Sequence, residues 1–168
     1  MCDGNNLTVC LRDEEPQWQS LKFDIAGCCE RALDASFEAA GKQGGGEVSI
    51  LLSSDSVIAQ LNQRYRGVEG PTNVLSFPTL LSEINYGSAA PRLLGDIVLS
   101  FETVVSEAET ANITTEAHLA HMLVHGTLHL LGFDHKLRDE ARVMETLEIQ
   151  SLETLGIDNP YAKGSVRG

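Results

Sequence analysis

Residues 115–135 read Thr-Glu-Ala-His-Leu-Ala-His-Met-Leu-Val-His-Gly-Thr-Leu-His-Leu-Leu-Gly-Phe-Asp-His, and this stretch decides the architecture of the chain. Its apolar residues recur at helical spacing, which predicts a helix over 115–131 that begins at Thr114 or Thr115 as N-cap. At 100° per residue, its four histidines span only about 80° of the helix circumference. The helix therefore presents one histidine stripe, made of His118, His121, His125 and His129.

Three histidines of the stretch have the spacing of a metal site. His125 and His129 are four residues apart, so they lie one turn above the other, and a turn at Gly132 brings His135 in from the side. Three imidazole nitrogens around a zinc ion leave the fourth tetrahedral position to water, as in catalytic sites. Such an ion lowers the pKa of its water to about 7. The pattern predicts a hydrolase that holds one Zn²⁺ through these three histidines.

The other polar residues of the stretch have less definite roles. We expect His118 and His121 to be structural or to support the metal ligands from behind, with contact to the substrate as the alternative. Asp134 either orients one of the ligands or serves as a turn residue.

The residue after the first ligand bears on the substrate. The spacing of the histidines and Gly132 equals that of the metzincin proteases, in which a glutamate follows the first histidine and acts as general base. Here that position is Gly126. Peptide hydrolysis needs such a proton carrier, whereas phosphodiester cleavage depends more on a metal ion and on cationic charge. The glycine favours a phosphodiester substrate, and a zinc peptidase with Glu116 or Asp134 as base is the weaker alternative.

Outside this stretch, strand-like and helical patterns alternate. Strands are predicted at 7–11, 47–52, 74–77 and 96–99, and helices at 18–40, after Ser54 or Asp55, at 102–112 and at 137–155. A loop of about 16 residues separates the last two strands. The order predicts an α+β fold, in which about five helices cover a small mixed sheet of about four strands and a helix of the C-terminal half carries the metal site.

Composition limits the partners. The chain of 168 residues has 24 acidic and 12 basic residues, so its net charge of -12 repels phosphate backbones as a whole. Residues 61–100 are the exception, with three residues of each sign. No apolar run is long enough to span a membrane, and the four cysteines form no disulfide framework or metal knuckle. We expect a cytoplasmic protein with no membrane partner.

Further motifs accompany the histidines and carry a resemblance. They are Tyr65-Arg66-Gly67, the block Pro71-Thr72-Asn73-Val74-Leu75-Ser76-Phe77-Pro78, and Leu94-Gly95-Asp96-Ile97. Together with 125–135 they resemble the YbeY family, bacterial single-strand-specific endoribonucleases of ribosomal RNA maturation. The resemblance extends from about Glu47 to Tyr161 and implies one metal-dependent hydrolase domain over residues 1–168, with its motifs in about 47–161.

The resemblance also implies roles and partners. Zinc is held by His125, His129 and His135, and Arg66 contacts the phosphate or the charged transition state. The implied partners are single-stranded RNA, ribosomal RNA, and the small ribosomal subunit with its assembly factors, in subunit maturation and quality control. RNA would approach a local basic, zinc-bearing groove at segment 61–100, whose net charge is zero. A ribosome-assembly or RNA-binding factor with a mainly structural zinc is the alternative from another functional class.

Overall fold

The computed structural model describes residues 7–42, 45–79 and 93–162. Within these ranges four strands and five α-helices follow the predicted order, which confirms the α+β fold. The strands are β1 (Leu7–Asp13), β2 (Gly46–Ser53), β3 (Val74–Pro78) and β4 (Leu93–Ser100). The helices are α1 (Ile25–Ala39), α2 (Asp55–Arg66), α3 (Phe101–Ala111), α4 (Thr115–Leu130) and α5 (Arg138–Thr154).

The strands form one mixed sheet in the order β1-β2-β4-β3. The first three are parallel to one another, and β3 runs antiparallel to β4. Gly95 lies opposite Pro78 in this pairing and has a φ of +149°, and a Cβ atom there would come within 2.4 Å of the carbonyl oxygen of Phe77. A side chain at position 95 would therefore push β3 away from its place beside β4.

Helix α4 is the central element of the core. It contacts the other helices α1, α3 and α5 as well as strands β3 and β4. Leu119, Leu123, Val124 and Leu128 on this helix are fully buried. Helix α2 packs separately, where Ile58 forms a small cluster with Leu75 and Val98. The neighbouring elements cover most of the α4 surface. Its four histidines are only half-buried, so they lie at the clefts where α4 meets these elements.

The predicted helix over 18–40 was wrong at its start. Residues Pro16–Ser20 form a separate 3-10 turn. Trp18 of this turn is fully buried and donates its indole N–H to the carbonyl oxygen of Ser53 at 2.9 Å. The true helix begins after Asp24, whose carboxylate caps it by accepting from the Gly27 amide at 3.1 Å. The apolar spacing over 18–40 predicted one continuous helix, but the burial of Trp18 against Ser53, which is distant in the sequence, separates its first residues from α1.

The other predicted elements differ from the structure only at their ends. Ser54 is the N-cap of α2 and Thr114 that of α4, as their sequence positions indicated. Strand β4 begins at Leu93, three residues before the predicted start. The long predicted loop before β4 falls mostly on residues 80–92, which lie outside the described residues. None of the helices in the described ranges is long and apolar enough to cross a membrane.

The cysteines of α1 are part of the core. Cys28 is 4% exposed and Cys29 is fully buried, and burial raises their pKa values to about 11 and about 12. We expect both thiols to resist a thiol-specific alkylating reagent at pH 8 in the native protein and to react after denaturation, because the reactive thiolate is scarce at that pH. Peptide mass mapping measures this, with the exposed Cys10 as internal reference. Equal rates for Cys28 and Cys10 would contradict the expectation.

Candidate metal centre

The structure brings the three predicted ligands together. The nitrogens that His125, His129 and His135 offer to a metal all lie within 4.8 Å of one another. Helix α4 supplies the first two, with ring centroids 4.7 Å apart, and the following turn supplies the third. Gly132 has a φ of +102°, a conformation that glycine adopts without strain, and it reverses the chain so that His135 returns to α4.

The chemistry of this donor set suits a metal ion. Burial, together with the neighbouring His125 and His135, lowers the pKa of His129 to about 4, so its imidazole is neutral at neutral pH and keeps a free lone pair. His125 uses Nδ1 to bond Glu148 at 2.6 Å, which leaves Nε2 for a metal. Neutral imidazoles are the ligands that zinc and other borderline metals prefer, so the residues fit such an ion.

Asp134 fixes the turn that carries the third histidine. Its Oδ1 accepts a hydrogen bond from the backbone N–H of His135 at 2.7 Å. That bond lowers the pKa of Asp134, which therefore stays ionised. Of the two predicted roles, this contact corresponds to the turn residue, and it places His135 through the backbone.

Glu148 is a residue of the site that the sequence analysis missed. It is 1% exposed and lies on α5 between Met144 and Leu152, which are one turn away on either side and also buried. Burial would raise the pKa of Glu148, but hydrogen bonds from His121 and His125 outweigh it and lower the pKa to about 2. An acidic residue in phase with an apolar helical face was the available signal, because a buried carboxylate needs partners.

Two further side chains share the Glu148 carboxylate. His121 Nε2 lies 2.9 Å from Glu148 Oε1, and the Tyr161 hydroxyl donates to the same oxygen. His121 is thus connected to His125 through one carboxylate and does not join the three-histidine group. The network links α4, α5 and the segment after α5, and it holds the orientation of His125.

His118 lies elsewhere. Its Nε2 is 2.7 Å from Glu107 Oε1 on α3, and the Asn73 amide also donates to Glu107 at 3.0 Å. Burial lowers the pKa of His118 despite the carboxylate, so this histidine bonds Glu107 chiefly in its neutral form and connects α4 to α3. His118 and His121 border a separate cavity of about 1110 Å³. The structure does not bring His118 to the metal ligands.

Arg66 borders the same pocket as two of the predicted metal ligands. The pocket measures about 280 Å³, and Arg66, Ser76, His125, His129 and Asp134 are among the residues that border it. Arg66 is the last residue of α2, and Gly67 ends that helix in the left-handed conformation with a φ of +68°. The end of α2 therefore brings Arg66 to the pocket of the candidate metal ligands, although residues 66 and 125 are far apart in the sequence.

Gly126 is a contact point between α4 and the sheet. Its carbonyl oxygen accepts from Ser76 Oγ at 2.9 Å, and a Cβ atom would lie 2.9 Å from that Oγ and 3.2 Å from Ile97 Cγ2. A glutamate at this position would run into β3 and β4. The absence of the metzincin base is therefore a consequence of how the helix packs.

The three histidines and Arg66 are typical of a metal-dependent hydrolase. Because a glutamate does not fit at position 126, the chain is not a metzincin-type peptidase. The family model of endoribonuclease YbeY matches residues 12–156. The chain therefore belongs to the YbeY family of endoribonucleases, hydrolases that act on RNA, which confirms the resemblance seen in the sequence.

Individual relatives agree with this assignment. Endoribonuclease YbeY of Parvibaculum lavamentivorans is 47% identical over 163 residues, which cover 94% of this chain and 86% of the relative. That of Azorhizobium caulinodans is 46% identical over 151 residues, covering 89% and 92%. The solution structure of TM1509 from Thermotoga maritima matches with a TM-score of 0.53 and 23% identity, covering 89% of this chain and 92% of that one, and shows the similarity of the fold.

Replacing Gly126 with glutamate tests the packing explanation. We expect Gly126→Glu to lower the free energy of unfolding by about 3 kcal/mol, because the side chain overpacks the α4–sheet contact and buries a charge. Urea denaturation measures the change. Val143→Glu, on an exposed helical position, is the matched control and is expected to be nearly neutral. A Gly126→Glu variant as stable as wild type would contradict the explanation.

Replacing Glu148 tests its role behind His125. We expect Glu148→Gln to weaken metal binding roughly 10- to 100-fold, because the amide cannot accept from both histidines with a full negative charge. Competition with a chromophoric chelator measures the affinity, and circular dichroism checks that the fold persists. Glu145→Gln changes an exposed glutamate of the same helix and should bind metal as wild type does. If both variants bound the metal with equal affinity, Glu148 would have no role in metal binding.

Proposed function

We propose that this protein is a zinc-dependent, single-strand-specific endoribonuclease that acts in ribosomal RNA processing, small-subunit maturation and quality control. The observation that carries the proposal is the pocket that Arg66 borders together with His125 and His129, with His135 completing the donor set. One zinc ion per chain would be held by the three histidines. We treat residues 1–168 as one hydrolase domain on the same basis.

The polar residues in and around the metal centre have definite tasks in this proposal. Bound zinc would supply a Lewis acid that stabilises negative charge on a phosphoryl group. Arg66 binds a non-bridging phosphate oxygen through its planar guanidinium and stabilises the charge that develops in the transition state. Glu148 holds His125 in one orientation, and Asp134 fixes the turn before His135. His118 and His121 support the surrounding elements.

The partners follow from the same proposal. They are single-stranded RNA, ribosomal RNA, and the small ribosomal subunit with its assembly factors, in the cytoplasm, where bacterial ribosomes mature. The name of the relatives supports an RNA substrate. Free thiols at Cys10, Cys28 and Cys29 suit a reducing compartment.

A peptidase is disfavoured by the placement of its candidate bases. The Glu116 carboxylate lies 3.8 Å from the Arg31 guanidinium. Glu116 borders the cavity of about 1110 Å³ and not the pocket of His125 and His129. Asp134 borders the pocket but accepts the amide hydrogen of His135. Gly126 leaves no room for a base on α4.

The experiment compares cleavage of one RNA sequence as a single strand and as a duplex. We expect the zinc-loaded protein to cut the single strand, and we expect chelation or His129→Ala to lower the rate at least 100-fold by removing the metal. Gel analysis of end-labelled RNA measures cleavage, and metal content is determined for each sample. Val143→Ala, which alters an exposed residue of α5, serves as the control for contaminating ribonuclease and should cut as wild type does.

Two outcomes would contradict the proposal. Cleavage that is unchanged by chelation and by His129→Ala comes from another nuclease. A folded His129→Ala variant that restores ribosome maturation in cells, with no RNA cleavage by wild type, would favour an assembly factor with a structural zinc.

A further inference from the structure

An exposed aromatic ring lies next to the metal pocket. Tyr65 is 60% exposed at the end of α2, directly before Arg66. Its ring meets the edge of Phe77 at 5.5 Å between centroids with an interplanar angle of 67°. The Arg64 guanidinium carbon lies 5.6 Å from the Tyr65 centroid. The ring is therefore held in place from two sides while most of its surface faces solvent.

Two arginines lie beside this ring, and neither forms an ion pair with a carboxylate of the described residues. In the described parts of the chain, neither Arg64 nor Arg66 lies within 4.0 Å of a carboxylate, whereas Arg12 and Arg31 each do. Such cations are available to an anion from outside, and phosphate suits a guanidinium.

Tyr65 is connected to the pocket through its neighbour Arg66. Arg66, which follows Tyr65, borders the pocket at the end of α2. Phe77 packs against the Ile58 cluster on the α2 side of β3, whereas its neighbours Ser76 and Pro78 border the pocket, because successive strand side chains point to opposite faces. A polynucleotide with one phosphate at Arg66 and the histidines would therefore run past the Tyr65 ring. Aromatic side chains beside cationic ones are the usual means of binding unpaired nucleotides.

We propose that Tyr65 is a stacking platform for an unpaired RNA base next to the phosphate in the metal pocket, with Arg64 and Arg66 binding the backbone on either side of it. The inference rests on the proposed function and identifies a source of its single-strand preference. A paired base is stacked on both faces within its duplex, so it has no free face for Tyr65. Stacking needs only the π-face of a base, so the platform tolerates any sequence.

The test uses a single-stranded RNA that carries 2-aminopurine, whose fluorescence falls on stacking. We expect binding to wild type and to Tyr65→Phe to quench the probe, and we expect Tyr65→Ala to bind about ten-fold more weakly without the quench. In steady-state cleavage, Tyr65→Ala should raise KM by a similar factor with little change in kcat, because stacking contributes equally to ground and transition states. Val143→Ala is the control for loss of an exposed apolar side chain elsewhere.

The outcomes separate this inference from the proposed function. Wild type that neither binds nor cleaves RNA overturns both. If wild type cleaves single strands and Tyr65→Ala shows the same KM and the same quench, only the stacking proposal is overturned. The exposed Tyr65 would then be assigned to contact with a protein partner. A Tyr65→Phe variant as weak as Tyr65→Ala would assign the effect to the hydroxyl and would also contradict stacking.

Discussion

The close approach of α4 to the edge of the sheet is the constraint on which the site depends. Gly126 makes this approach possible, because its backbone carbonyl bonds Ser76 directly and no side chain separates the helix from Ile97. Gly95 does the same from β4, where a Cβ would lie 2.7 Å from Leu130 Cδ2. With the helix fixed at this distance, His125 and His129 face the pocket between α4 and β3. The same contact that orients the ligands thus excludes the peptidase base.

A buried carboxylate then fixes the ligands from behind. Removing Glu148 from water is costly, and only several hydrogen bonds to the charged form make the burial tolerable. His121, His125 and Tyr161 supply them, and the pKa of Glu148 falls to about 2 despite its burial. The carboxylate therefore stays charged and keeps His125 in one tautomer, with its Nδ1 proton on the Glu148 side. Stability of the α4–α5 packing and orientation of a metal ligand come from one network.

What the sequence predicted depended on how local each signal is. The α4 helix and the three histidines lie within 21 residues, so helical spacing and one glycine turn were sufficient to group them. Glu148 lies 23 residues from His125, and its contact depends on how α5 packs, which spacing within α5 does not specify. Trp18 likewise misled the prediction because its partner, Ser53, is 35 residues away. Arg66 was found only through the family resemblance, since nothing local distinguishes it from an ordinary surface arginine.

The charge distribution explains how an acidic protein can act on RNA. At physiological ionic strength, charges more than about 8 Å apart are largely screened, so the net charge of -12 matters less at contact than the groups that line the pocket. Those groups are Arg66, which has no ion pair in the described residues, Asp134, and His125 and His129, which together with His135 would hold a cation. Long-range repulsion still slows the approach of free RNA. Under the proposed function, this combination favours substrate that is already held near the enzyme, as ribosomal RNA is within the small subunit, over RNA captured from solution. Selectivity for the ribosome would then arise without an extended basic surface, because only a few nucleotides need to enter the pocket.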